Sequence, residues 1–100
     1  MFAVIYRWRL KSGMEGQFAD GWDRVTRAIH QTCGSYGSRL HRCDDGMWLA
    51  YARWPDETAQ QDCEHWESEG LRLMQEAAGA LVETIRCEVV VDLLDEPARR

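Results

Sequence analysis

Phe2-Ala3-Val4-Ile5-Tyr6-Arg7-Trp8-Arg9-Leu10-Lys11-Ser12-Gly13-Met14-Glu15 is the stretch on which the fold turns. Through Lys11 the residues alternate, with Phe2, Val4, Tyr6, Trp8 and Leu10 set against Ala3, Ile5, Arg7, Arg9 and Lys11. A period of two marks a strand with one thoroughly apolar face. At Ser12 the period changes. Ser12-Gly13-Met14-Glu15 has the spacing of a capping box, in which the Ser12 hydroxyl and the Glu15 carboxylate satisfy each other's orphan backbone N–H groups, and a helix is expected to begin there.

Working outward, Phe18, Trp22, Val25, Ile29 and Cys33 recur at helical spacing, with Glu15, Asp20, Asp23, Arg24 and Arg27 mostly on the other side. Gly34 and Gly37 supply the stop. Asp44-Asp45-Gly46 then separates Ser38–Cys43 from Met47–Trp54, and Asp-Gly is a strong type I′ hairpin signal. With Asp45-Gly46 as a two-residue loop, Leu40 is expected opposite Tyr51 and His41 opposite Ala50. Leu49 and Tyr51 then share a face with Leu40 and Arg42.

Pro55-Asp56-Glu57 starts a second helical region with Ala59, Cys63 and Trp66 as its stripe, and Ser68-Glu69-Gly70 is expected to break it. A third short helix through Leu71, Met74, Ala78 and Leu81 leads to a last strand, Thr84 to Leu94, with Ile85, Cys87, Val89, Val91 and Leu93 on one face. Residues 1–95 read as one domain, and 96–100 as a frayed tail.

The order strand-helix-strand-strand-helix-strand is the split β-α-β arrangement of an α+β, ferredoxin-like fold: a four-stranded antiparallel sheet with helices on one face. The strand from Met47 to Trp54 is apolar on both sides, Met47, Leu49 and Tyr51 against Trp48, Ala50, Ala52 and Trp54. An exposed patch of that kind marks an interface, so a homodimer joined through the sheet face is expected.

The chain has 100 residues and a formal net charge of −5. There is no positive surplus to displace counterions from a phosphate backbone, which argues against nucleic acid as a partner. Arg7 and Arg9 come too soon for a signal peptide or membrane span, so a cytoplasmic protein with no membrane partner is expected. Cys33, Cys43, Cys63 and Cys87 contain no C-x-x-C pair and read as free thiols of a reducing compartment. His30, His41, Cys43, Cys63 and His65 show none of the usual zinc spacings, so no metal is expected.

Met1-Phe2, Arg7, Leu10 and Gly13, with Trp54 entering the acidic Pro55-Asp56-Glu57 helix start and Trp66 farther on, resemble the antibiotic biosynthesis monooxygenase-like superfamily. The resemblance spans about residues 1–94 and implies a dimeric α/β barrel. It also implies two chemistries. Quinone-forming members oxidise polycyclic aromatics with molecular oxygen and neither metal nor flavin. The haem-degrading branch uses an Asn, a Trp and a His; Trp66 matches its Trp, but Tyr6 stands where the Asn would fall and Glu76 near where the His is expected.

An oxygenase without a cofactor needs a substrate able to give an electron to oxygen, so the protein supplies a base, donors for the resulting anion and a dry pocket. The candidate catalytic residues are Tyr6, Tyr51, His65 and Trp66, with Trp8, Trp22, Arg53 and Met74 for substrate binding. Tyr6 and Trp8 also suit plain core packing in a central strand. The leading expectation is a cofactor-independent monooxygenase-like protein acting on a small aromatic or quinol-type substrate between sheet and helices. The alternative is a non-catalytic dimer of the same fold that binds a small hydrophobic ligand or has only a structural role.

Overall fold

In the computed structural model, which describes residues 1–64 and 67–94, the first strand spans Phe2–Leu10 (β1) and runs into a 19-residue helix, Glu15–Cys33 (α1). Gly37–Arg42 (β2) and Trp48–Trp54 (β3) form the hairpin. A five-residue helix, Glu57–Gln61 (α2), precedes Ser68–Ala77 (α3), which passes directly into Ala78–Glu88 (β4). The strands lie in the order β2-β3-β1-β4, every neighbouring pair antiparallel, as the split β-α-β reading requires.

The apolar alternation of β1 does what its period predicts. Phe2, Val4 and Trp8 are buried on the helix side, and Phe18 of α1 is fully buried against Trp8. The rings of Trp8 and Phe18 meet edge to face at 5.0 Å, and Phe18 meets Trp48 of β3 in the same manner at 6.3 Å. Val25 is buried farther along α1, and Ile29 and Cys33 continue the stripe onto Phe2, Val4 and Trp54.

α1 and α3 cross at a pair of glycines. A Cβ on Gly21 would lie 2.6 Å from the Gly70 carbonyl oxygen and 2.9 Å from Leu73 Cβ; one on Gly70 would lie 2.8 Å from Val25 Cγ2. Only glycine permits this approach. Gln17 ties the same helices by donating from its side-chain amide to the Leu73 carbonyl at 3.2 Å.

The structure departs from the sequence reading at five places. α1 has Met14 at its N-cap and no side-chain capping bond, because Ser12 lies in a turn closed by Met14 N–H donating to the Lys11 carbonyl, ahead of the capping position. The hairpin loop holds three residues, Asp44-Asp45-Gly46: Cys43 N–H donates to the Met47 carbonyl, Gly46 takes φ +84°, and the Asp45 carboxylate accepts from Met47 N–H. That one extra residue shifts the register, so Leu40 faces Ala50, His41 faces Leu49 and Arg39 faces Tyr51.

The helix expected through Leu81 ends at Ala77, and Ser68-Glu69-Gly70 opens α3, where the Glu67 carboxylate accepts from Gly70 N–H at 3.0 Å. Ala78 and Ala80 pair with Leu10 and Arg9, and Gly79 sits against the Arg9 carbonyl too closely for a Cβ at ease. Strand pairing there overrides alanine's helical preference. β4 also stops at Glu88, short of the expected Leu94. Val89 N–H donates to the Met1 carbonyl, and beyond that the neighbouring strand has run out.

The fifth departure is covalent. Cys33 and Cys63 form a disulfide with their Cα atoms 5.2 Å apart, while Cys43 and Cys87 are free. The bridge joins the last residue of α1 to Cys63, the second residue beyond α2. Folding makes these positions neighbours although 30 residues separate them, so spacing alone could not reveal the pair. The cysteines therefore no longer argue for a reducing compartment. No helix among the described residues is long and apolar enough to cross a membrane. The expected frayed tail, 96–100, lies outside the described residues.

Candidate functional site: a cavity between the sheet and two helices

A cavity of about 260 Å3 lies between the sheet and the crossed helices. Its floor comes from alternate positions of three strands: Tyr6 and Trp8 of β1, Ala50, Ala52 and Trp54 of β3, and Ser38 of β2. Its roof comes from Trp22, Val25, Thr26 and Ile29 of α1 with Leu71 and Met74 of α3, and Ser35 closes one side. Such a cavity is near the low end of ligand-pocket sizes and matches the liquid volume of roughly nine waters. It suits a small ligand.

The strand period dictates who takes part. Tyr6 is opposite Ala50 and both side chains rise toward the helices, with the Tyr6 and Trp8 rings stacked at 5.6 Å and 20°. Trp22 and Met74 complete the aromatic and thioether wall, so four of the expected site residues, Tyr6, Trp8, Trp22 and Met74, converge. Tyr51 and Arg53 do not. They pair with Ile5 and Ala3, on the opposite face of the sheet, and the Arg53 guanidinium is 3.9 Å from the Asp92 carboxylate. His65 and Trp66 lie outside the described residues. His41 is exposed on the edge strand β2.

Tyr6 is the only titratable group among the described lining residues. Burial pushes its phenol above the ordinary value of 10.0, and the Arg86 guanidinium offsets part of that rise. At neutral pH the hydroxyl is therefore protonated and able to donate to an anion. It is not a resting base. Arg86 itself sits 5.3 Å over the Phe2 ring and 3.3 Å from the Glu57 carboxylate.

Three polar lining groups were not anticipated. Ser35 Oγ accepts from Gly37 N–H at 3.2 Å, and the Ser38 hydroxyl donates to the Tyr51 carbonyl at 2.9 Å. His30 supports the Ser35 segment, its Nδ1 lying 2.6 Å from the Ser35 carbonyl, which fits an Nδ1–H donor. Thr26 is the third, on α1. The correct hairpin register was the missing signal for Ser38; nothing in the sequence marks Ser35. Trp54, read from sequence as part of one apolar face of β3 and as the residue entering α2 but not as a site residue, also lines the cavity. Among the described residues no three His, Cys, Asp or Glu side chains gather as a metal ion would require.

Comparison with solved structures adds the fold's relatives. The cofactor-independent oxygenase SnoaB from Streptomyces nogalater superposes with a TM-score of 0.76 over 94% of this chain and 97% of its own, at 13% identity. Rv0793 from Mycobacterium tuberculosis gives 0.73 over 93% and 98%, at 14% identity. A candidate antibiotic biosynthesis monooxygenase from Bordetella bronchiseptica gives 0.72 over 90% and 97%, at 16% identity.

The chain has the antibiotic biosynthesis monooxygenase fold.

No family model matches the sequence, and no curated protein does. The monooxygenase fold is thus shared at identities where sequence similarity has faded, and proteins of unknown function have it too, such as one from Nitrosomonas europaea at a TM-score of 0.72 and 14% identity over 95% of this chain and 94% of its own. A shared fold of this kind carries architecture and not a reaction.

Proposed function

We propose that the protein is a cofactor-independent oxygenase of small hydroxylated aromatics, with the cavity beneath α1 and α3 as its active site. The observation that carries this reading is the lining: an apolar, aromatic-walled space in which Tyr6, the one titratable group among the described lining residues, is held protonated by burial. An arenol whose keto tautomer carries a CH2 group can supply the electrons itself. Its enolate gives four electrons in all to O2; one oxygen atom becomes the new carbonyl, the other leaves as water with the two hydrogens of the CH2. The protein's part is to exclude water, stack the ring on Tyr6 and Trp8, and donate the Tyr6 O–H to the developing anion. SnoaB, described as a cofactor-independent oxygenase, shares the fold and supports the choice of chemistry.

The test is oxygen uptake by the purified protein with a panel of hydroxylated two- and three-ring arenes, read against the same solutions without protein. Uptake above that background with at least one arene is expected; none across the panel contradicts the reading.

A second reading, a non-catalytic binder of the same ligands, rests on a specific feature: the described lining has no carboxylate, imidazole or amine to take the substrate proton. It predicts thermal stabilisation by the arenes without any product. His65, one of the catalytic candidates of the sequence reading and an imidazole able to take that proton, is the residue whose substitution separates the two, since loss of turnover with binding retained favours the oxygenase.

Either function is proposed for a homodimer. Ile5, Leu49 and Tyr51 are half-buried on the sheet face away from the helices, and Ile85 is exposed there. A second copy covering that face accounts for this apolar surface. Light scattering on the eluting protein should give twice the chain mass.

A further inference from the structure

The Cys33–Cys63 bridge is half-buried at both of its residues, and a second cavity, of about 310 Å3, lies beside it, lined by the two cysteines with Thr32, Asp62 and Glu64 among others. The proposed reaction uses neither feature. On its inner side the bridge meets the wall of the ligand site: Cys33, Cys63, Ala59 and Ile29 pack on Phe2, Val4 and Trp54, and Ile29 and Trp54 line the space between sheet and helices. Tyr6 packs on the same cluster. One covalent bond thus stands between a recess wide enough for a small reagent and the residues that shape the site.

α2 depends on that bond. Its five residues, none of them buried, fall far short of the roughly 12–15 at which an isolated helix becomes marginal in water. Its N-cap, in which the Asp56 carboxylate accepts from Ala59 N–H at 2.8 Å, is internal to the segment and anchors it to nothing else. The Glu57–Arg86 ion pair, at 3.3 Å, is exposed at both ends and holds weakly. Ala59 and Cys63 rest on the Phe2–Val4–Trp54 cluster only partly buried.

We propose that Cys33–Cys63 is a thiol-responsive switch: a small thiol entering the recess beside it cleaves the bond, α2 comes away from the Phe2–Val4–Trp54 cluster, and the site between sheet and helices binds its ligand less tightly. The last step rests on the proposal that this space is a ligand site. The chemistry is thiol–disulfide exchange. A thiolate attacks one sulfur and forms a mixed disulfide with it, the other cysteine leaves as thiolate and takes a proton, and a second thiol releases the first cysteine; two reagent thiols end as one disulfide, and their electron pair ends on the two protein thiols. Accessible disulfides are the ones open to this exchange. The affinity falls because only the fraction of the reduced protein with α2 still in place keeps the wall that the ligand needs.

The experiment treats the folded protein with cysteamine, a cationic thiol suited to a recess flanked by Asp62 and Glu64, then reoxidises it. Reduction should expose the Cys33 and Cys63 thiols to alkylation while the protein stays folded. Amide exchange over residues 56–63 should speed up about tenfold or more, with the middle of α1 unchanged, as local opening requires. The probe ligand is 1-naphthol, titrated without oxygen so that no turnover occurs, and its Kd should rise about three- to tenfold on reduction and return on reoxidation. The double variant Cys33→Ser, Cys63→Ser should match the reduced protein and ignore cysteamine; if it does not fold, the reduced and reoxidised wild type still decide the matter. A bridge that yields only when the protein unfolds, or exchange over 56–63 that does not change, overturns the switch whatever the ligand does. Equal Kd in the two forms overturns it while leaving the cavity a ligand site. Absence of binding to both forms overturns the switch and the ligand site together.

Discussion

Tyr51 points away from Tyr6: β3 presents Ala50 to Tyr6 and Tyr51 to Ile5, which puts the two phenols on opposite sides of one sheet. The two residues therefore separate the cavity from the outer face experimentally. Tyr6→Phe removes a donor to the substrate anion and should lower kcat/KM about ten- to a hundredfold, the range for a charge-assisted hydrogen bond. Tyr51→Phe should leave kcat/KM unaltered. Equal losses in both variants would remove the cavity from the mechanism.

The raised Tyr6 pKa has a measurable sign. Because folding favours the neutral phenol, the contribution is fully present below the unfolded value of 10.0 and is lost as pH climbs through the higher folded value. Stability should thus fall more steeply above pH 10.0 in the wild type than in Tyr6→Phe. An ultraviolet titration should show a tyrosine ionising above the ordinary range, absent from the variant; a titration unchanged by Tyr6→Phe contradicts the burial described for this ring.

Gly21 is where the helices set the cavity's height. Gly21→Ala forces Gly70 and Leu73 away and should cost about 1–3 kcal/mol, as overpacked sites do. Leu71 and Met74 ride on the displaced helix, so ligand affinity should fall too. Gly16, on the same helix, has open space where a Cβ would go, and Gly16→Ala should stabilise by about 0.5–1 kcal/mol. Thermal unfolding of the two variants checks both signs.

Much of this was legible in the residues. The period of two in β1 and the 3.6 stripe of Phe18, Trp22, Val25 and Ile29 report local geometry, so the sheet, α1 and half of the cavity followed from them. What failed was non-local. One added residue in the Asp44-Asp45-Gly46 loop reassigns the β2 face, which brings Ser38 into the lining, and the start of β4 at Ala78 depends on strand partners that helix propensity ignores. Tyr51 and Arg53 were grouped with Tyr6 by residue type, but the β1–β3 register sets Ala50 opposite Tyr6, and alternation along β3 then turns Tyr51 and Arg53 to the other face.

The Cys33–Cys63 bridge closes a loop across a sequence separation of 30 and should stabilise the fold by about 3–4 kcal/mol through the unfolded chain. Alkylation of the unfolded protein under oxidising conditions should label two cysteines, Cys43 and Cys87, and reduction should raise the count to four while lowering Tm. Four labelled thiols before reduction would show that the pair does not form.

The most direct measurement of the central claim is turnover under 18O2 with a chelator present and no added flavin or metal. An arenol substrate should give a quinone carrying one labelled oxygen, with the second label in water, at a rate above the protein-free reaction and diminished in Tyr6→Phe. A quinone without label, a rate equal to that of the protein-free solution, or activity that appears only when flavin or metal is supplied would contradict it.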